Sequence, residues 1–139
     1  MKVQNITDMI GNTPLLKVED NVEYCAKIEG SNLFGSVKDR AAKYLMENAY
    51  NDGIIKSDTV IIESSSGNFG IALAGMCKIK GNSFICVIDP SITEINRKII
   101  ELLGAKIIVA CNEYYGAAEP PVRCGESHLS GLTEPLRSL

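Results

Sequence analysis

Two short segments of this 139-residue chain carry side chains that could do chemistry. In Gly35-Ser36-Val37-Lys38-Asp39-Arg40 a lysine stands at the opening of a helix, just after a glycine-containing loop running from Gly30 to Gly35. A cation in the first helical turn opposes the helix dipole, and the same field favours the neutral amine. That is the form that condenses with an aldehyde, so Lys38 is a candidate Schiff-base nucleophile. The competing reading is an ordinary solvated lysine. In Glu63-Ser64-Ser65-Ser66-Gly67-Asn68-Phe69-Gly70, three hydroxyls, a glycine and an amide meet where a strand gives way to a helix. Free backbone N–H groups there, with glycine allowing close approach, suit a carboxylate or phosphate. The competing reading is a turn in which Ser66 or Asn68 merely satisfies helix donors. Neither G-x-x-x-x-G-K-S/T nor G-x-G-x-x-G occurs, so this is neither a phosphate loop nor a dinucleotide fingerprint.

The elements around these segments read as alternating strands and helices. Thr59 to Glu63 is a strand; Asn68 to Lys80, apolar nearly all round, is a buried helix that Gly81-Asn82 ends. Ser83 to Ile88 is the next strand, closed by Asp89-Pro90. Ser91 with Glu94 reads as a capping box for a helix that sets Ile95, Ile99, Leu102 and Leu103 on one stripe. Gly104 stops it, and Lys106 to Ala110 is the third strand. Strands this apolar, joined by helical crossovers, imply an α/β fold with a parallel sheet covered by helices on both faces. The Ser65–Asn68 turn then lies at the carboxyl end of a strand, where ligands bind such sheets. Upstream, Leu15 to Val18 and Tyr24 to Ile28 are short strands about a turn, and Asp39 to Asn51 is a helix with Ala42, Leu45, Met46 and Ala49 on one face.

Composition narrows the function classes. Hydrophobic residues make up 45% and charged residues 22%, the profile of one globular domain, and the net charge is −3. Lysines and arginines are scattered, which disfavours nucleic-acid binding. No membrane span or signal peptide is expected, so the cytoplasm is the expected location. Five cysteines (Cys25, Cys77, Cys86, Cys111 and Cys124) form no C-x-x-C pair, and four lie in apolar stretches. They read as small core residues rather than metal ligands, and no metal is expected.

In order and spacing, Ile10-Gly11-Asn12-Thr13-Pro14-Leu15, Lys27-Ile28-Glu29, Gly35 to Arg40, Ser65-Ser66-Gly67-Asn68 with Gly70 to Ala74, and Leu103-Gly104-Ala105 resemble the cysteine synthase and cystathionine β-synthase family of pyridoxal-phosphate enzymes. The resemblance implies the fold of the tryptophan synthase β-subunit type and pyridoxal 5'-phosphate as cofactor. It implies that Lys38 holds the cofactor and moves α-protons, that Asn68 bonds the ring hydroxyl, and that Ser65, Ser66, Gly67 and Asn68 grip an amino-acid carboxylate. Phe69, in the same substrate loop, stands where a threonine is usual, removing a hydroxyl and adding bulk. The implied reaction is β-replacement on an O-activated serine. Asp89-Pro90 and Asn96 look more like the relatives that join O-phosphoserine to glutamate, making the siderophore precursor 2,3-diaminopropionate.

Pro120, Pro121, Pro135 and the sole histidine, His128, crowd the segment after Glu113, where no period of 2 or 3.6 survives. Residues 1–113 are therefore expected to be the amino-terminal part of the fold, and 114–139 a divergent, disordered tail. Family members exceed 300 residues; their glycine-rich phosphate loop and a serine facing the pyridine nitrogen have no counterpart here. The expectation is a truncated or frame-altered product, weakly active or inactive alone, that dimerises only if full-length. The reading from a different class is a non-catalytic α/β module that binds an amino acid or a partner.

Overall fold

The computed structural model describes residues 4–19, 23–110 and 137–138. Two strands, Leu15–Glu19 (β1) and Glu23–Lys27 (β2), pair antiparallel as a hairpin of their own, with Leu16 opposite Ala26. After it comes a 14-residue helix, Lys38–Asn51 (α1), which buries Asp39, Ala42, Met46 and Ala49. The remaining chain alternates: Ile61–Ser64 (β3), Asn68–Lys80 (α2), Phe84–Ile88 (β4), Glu94–Leu102 (α3) and Lys106–Val109 (β5). These strands are parallel in the order β5-β4-β3, and Arg137–Ser138 (β6) adds to the free edge of β3. The expected α/β class with a parallel sheet and helical crossovers is what the chain adopts, but among the described residues the crossover helices cover one face of the sheet rather than the expected two.

The apolar sequence of α2 explains its place at the centre. Seven consecutive residues, Ile71 to Cys77, are buried, and the helix packs on α1, α3, β3 and β4 at once. Its end is set by Gly81, whose left-handed conformation (φ 82°) costs glycine little. The register places Ile61, Phe84, Cys86, Ile88 and Ile107 on the sheet face that joins this core. Successive right-handed crossovers stepping the same way across the sheet put α2 and α3 on that face, in agreement with their mutual contact. Met46, Leu73 and Met76 are wholly buried, each contributing about 2 kcal/mol by leaving water.

Several local expectations need correction. Thr93, not Ser91, caps α3: its side chain accepts from the Asn96 N–H, while the Ser91 N–H and hydroxyl are both taken by the Asp89 carboxylate, at 2.8 and 2.5 Å. The stripe of α3 also differs. Ile95 and Leu102 are 70% and 77% exposed; of the expected stripe only Leu103 packs inward, joined by Asn96 and Ile100. Leu45 is exposed, while Ala42, Met46 and Ala49 form the buried face of α1, which packs on α2. Cys25 is exposed on the hairpin, which has no helix over it, whereas Cys77 and Cys86 are core residues as read. Cys111, Cys124 and the expected tail after Glu113 lie outside the described residues, apart from β6.

Candidate active site

The turn that carries Lys38 is built from three distant segments. Gly11 and Asn12 both adopt positive φ (94° and 48°), and a β-carbon on Gly11 would stand 3.2 Å from the Arg40 guanidinium. The Gly11 N–H donates to the Asn32 side-chain oxygen Oδ1 at 2.8 Å. The Asn32 amide in turn donates to the Glu29 carboxylate, to the Glu29 carbonyl and to the Ser36 carbonyl. Arg40 grips Glu29 with both arms, at 2.8 and 3.0 Å, and also reaches the Thr13 hydroxyl. Lys27 adds a bond to the Thr13 carbonyl. Chiefly the Arg40 guanidinium, helped by Asn32 and Thr13 and opposed by loss of solvent, holds the Glu29 carboxyl down at about 2.

Within this frame α1 begins. The Lys38 N–H donates to the Ser36 hydroxyl (3.1 Å), which itself donates to Asp39 (3.2 Å). The other Asp39 oxygen accepts from the Phe34 N–H at 2.6 Å, and Asp39 is wholly buried. A carboxylate in the first helical turn also complements the dipole. Asp39, Asn32 and the Glu29–Arg40 pair carry the local order, and the sequence reading assigned them no role. The S-x-x-D spacing of Ser36 and Asp39 was the available signal. Lys38 itself is exposed, and its amine has no partner among the described residues.

The second turn joins β3 to α2. The Ser65 hydroxyl accepts the Gly70 N–H at 2.9 Å, and the Ser65 N–H bonds the Val87 carbonyl of β4. Gly70 is required here, since a β-carbon would sit 2.9 Å from the Ser65 carbonyl oxygen. Ser66 is held from below: its hydroxyl accepts the Asp89 N–H at 2.6 Å, and its carbonyl accepts the Asn96 side-chain amide at 3.3 Å. Gly67 occupies the position before α2 without a side-chain cap. The Asn68 side chain, and the backbone N–H groups of Asn68 and Phe69, meet no partner among the described residues. Phe69 packs its ring against the hydrophobic core, leaving its N–H as what it offers a ligand.

Helix packing relates the two turns. α1 lies along α2, and the Phe34 ring crosses α2 at Gly75, where an added β-carbon would fall 2.2 Å from a ring carbon. At 1.5 Å per residue, Gly75 lies only about 10 Å along α2 from Asn68.

Lys38, whose amine has no partner among the described residues, and the Ser65–Asn68 turn thus open two helices packed on each other. The profile described as "Pyridoxal-phosphate dependent enzyme" matches residues 6–127. This chain belongs to that family. Among solved structures, it is similar to a hydrogen sulfide-producing enzyme from Fusobacterium nucleatum, with 36% identity and a TM-score of 0.74. It is also similar to an O-ureido-L-serine synthase (32%, 0.75) and to an O-acetylserine-dependent cystathionine β-synthase from Helicobacter pylori (35%, 0.73). These matches cover 78–79% of this chain but 36–38% of the solved ones, so the chain spans little more than a third of their length.

Pyridoxal phosphate is the cofactor of this family, and the residues present fit parts of it. The Lys38 amine suits its aldehyde and the Asn68 amide its ring hydroxyl. The Ser65 and Ser66 hydroxyls accept backbone N–H bonds, so each keeps its own O–H to donate to a carboxylate. The buried cysteines do not compete as nucleophiles, for burial pushes the Cys77 thiol up to about 12 and raises Cys86 as well. A cavity of about 250 Å³ among Ala74, Cys77, Lys78, Asn82, Phe84 and Leu103 lies toward the other end of α2, away from both turns. No helix among the described residues is long and apolar enough to cross a membrane.

Proposed function

We propose that the chain carries the lysine and carboxylate-binding parts of a site for β-replacement on an O-activated L-serine. The observation that carries this reading is the Lys38 amine, which has no partner among the described residues while the neighbouring Ser36, Asp39 and Arg40 side chains are engaged. Bound there, pyridoxal phosphate would supply an electron sink for the substrate α-carbon. Lys38 Nζ would hold the cofactor and then take and return the α-proton. The Ser65 and Ser66 hydroxyls, with the N–H groups of Asn68 and Phe69, would bind the substrate carboxylate at the positive end of α2 and so orient that proton toward Lys38.

For the substrates, the reading is O-phosphoserine as donor and glutamate as nucleophile. What supports it is that the segment singled out for this choice touches the substrate turn: the Asp89 N–H and the Asn96 amide are the groups that hold Ser66. The test is to incubate the purified chain with pyridoxal phosphate, reduce with borohydride and map pyridoxyl-lysine by peptide mass spectrometry. Lys38 should take most of the label, and Lys38→Ala should show none at that position. Label spread evenly over the surface lysines would favour a non-catalytic module instead. A donor and nucleophile screen then decides the substrates; sulfide with O-acetylserine as the sole productive pair would rule out the phosphoserine assignment.

A further inference from the structure

We infer that Phe34 is a positioning residue, holding the Lys38 turn at a fixed place on α2; this rests on Lys38 being the reactive amine of the proposed reaction. Phe34 makes two contacts of different kinds. Its backbone N–H donates to the buried Asp39 carboxylate at 2.6 Å, one residue beyond Lys38. Its ring lies on Gly75, so closely that a β-carbon there would fall 2.2, 2.3 and 2.8 Å from three ring carbons.

Gly75 is the second half of the device. A glycine in the middle of a helix is unfavourable relative to alanine, and here its missing side chain makes the depression that seats the ring. α2 starts at Asn68 and runs straight to Gly75, so a ring seated at Gly75 sets how far the Lys38 turn lies from the Ser65–Asn68 turn. Without the ring, the polar network through Asn32, Glu29 and Arg40 would still order the lysine turn internally and α1 would still pack along α2 through Ala42, Met46 and Ala49, but the contact that ties the segment before Lys38 to α2 would be lost. Two receptive turns on separate helices serve one ligand only if their spacing is held to a fraction of an ångström, because small misplacements in such sites are expensive.

Amide hydrogen exchange on the whole chain separates positioning from general packing. Phe34→Ala should speed exchange at Gly35 to Arg40 by about tenfold or more while β4, Phe84–Ile88, keeps its protection. Phe34→Tyr, which keeps the ring, should leave both unchanged. Equal loss of protection in β4, or none at Gly35 to Arg40, would overturn the inference. Should Phe34→Ala fail to fold, Phe34→Leu is the milder variant read in the same way. Borohydride trapping on the same variants reports the chemistry separately: the share of label at Lys38, relative to Lys78 and Lys106, should fall severalfold in Phe34→Ala. If the natural chain shows no preference for Lys38, the proposed reaction fails, and the exchange data still decide whether Phe34 holds the turn.

Discussion

The turn before α1 and the turn before α2 each deliver polar residues to a helix start, yet they distribute their hydrogen bonds in opposite ways. Around Lys38 the polar groups are engaged with one another: Asp39 with Phe34 and Ser36, Asn32 with Gly11 and Ser36, Arg40 with Glu29 and Thr13. Around Asn68 the loop is fixed through Ser65 and Ser66, while the Asn68 amide and the N–H groups of Asn68 and Phe69 have no partner among the described residues. On the proposed reading, the first turn is rigid and displays one amine, and the second is receptive. A nucleophile gains from a fixed position, whereas an anion site needs donors that no protein acceptor has taken.

Breaking the rigid turn should cost most. Asp39→Ala would leave the Phe34 N–H and the Ser36 hydroxyl without their acceptor in a buried setting, and should lower stability by about 3 kcal/mol in urea unfolding. Asp39→Asn, which keeps one acceptor oxygen, should cost about half of that. A loss below about 1 kcal/mol for the alanine variant would mean that Asp39 is not what holds this turn.

The receptive turn should yield less. Gly70→Ala forces a methyl group against the Ser65 carbonyl at 2.9 Å and the Cys86 sulfur at 3.3 Å, and should cost about 2 kcal/mol. Because the nearer obstacle is backbone, no rotamer change relieves it. Ser65→Ala removes only the acceptor for the Gly70 N–H, a cap-like bond worth about 1 kcal/mol. If Ser65→Ala proved as costly as Asp39→Ala, the contrast between the turns would disappear.

How much of this the sequence disclosed depends on what kind of interaction was involved. The bounds of α2, from Asn68 to Lys80, were legible because an all-round apolar run and a stopping glycine both act locally. The three motif segments that meet around Lys38 were recognised one by one. Their meeting was not, since Gly11, Asn32 and Arg40 come together only through tertiary contacts. The α3 stripe misled in part: of Ile95, Ile99, Leu102 and Leu103 only Leu103 packs on the core, in line with Asn96 and Ile100 of a neighbouring stripe on the same helix. Hydrophobicity favoured the expected stripe; the Asn96 bond to Ser66, with Ile100 buried in the core, accompanies the neighbouring one. Cys25 and Leu45 failed for a related reason: a pattern marks an apolar face but does not say whether another layer covers it.

Acid should sharpen the contrast with the smallest effect. The Glu29 carboxyl titrates at about 2 in the fold against an ordinary 4.5, so its contribution is complete above about pH 4.5 and is lost as the pH falls toward 2. The Asp89 carboxyl beside the receptive turn is also held below its ordinary value, by its hydrogen bonds from Ser91, so the share that belongs to the lysine turn has to be read against a Glu29 variant. Melting the natural chain and Glu29→Gln side by side isolates it. The natural chain should be the more stable near neutrality, and the gap should close across that window as protonation does to Glu29 what the substitution does permanently. Both partners keep contact with water, the Arg40 side chain being 38% exposed, so salt should narrow the gap as well. A gap that stayed constant down to pH 2 would show that Glu29 acts through its shape and neutral hydrogen bonds, and the ionic frame around Lys38 would have to be given up.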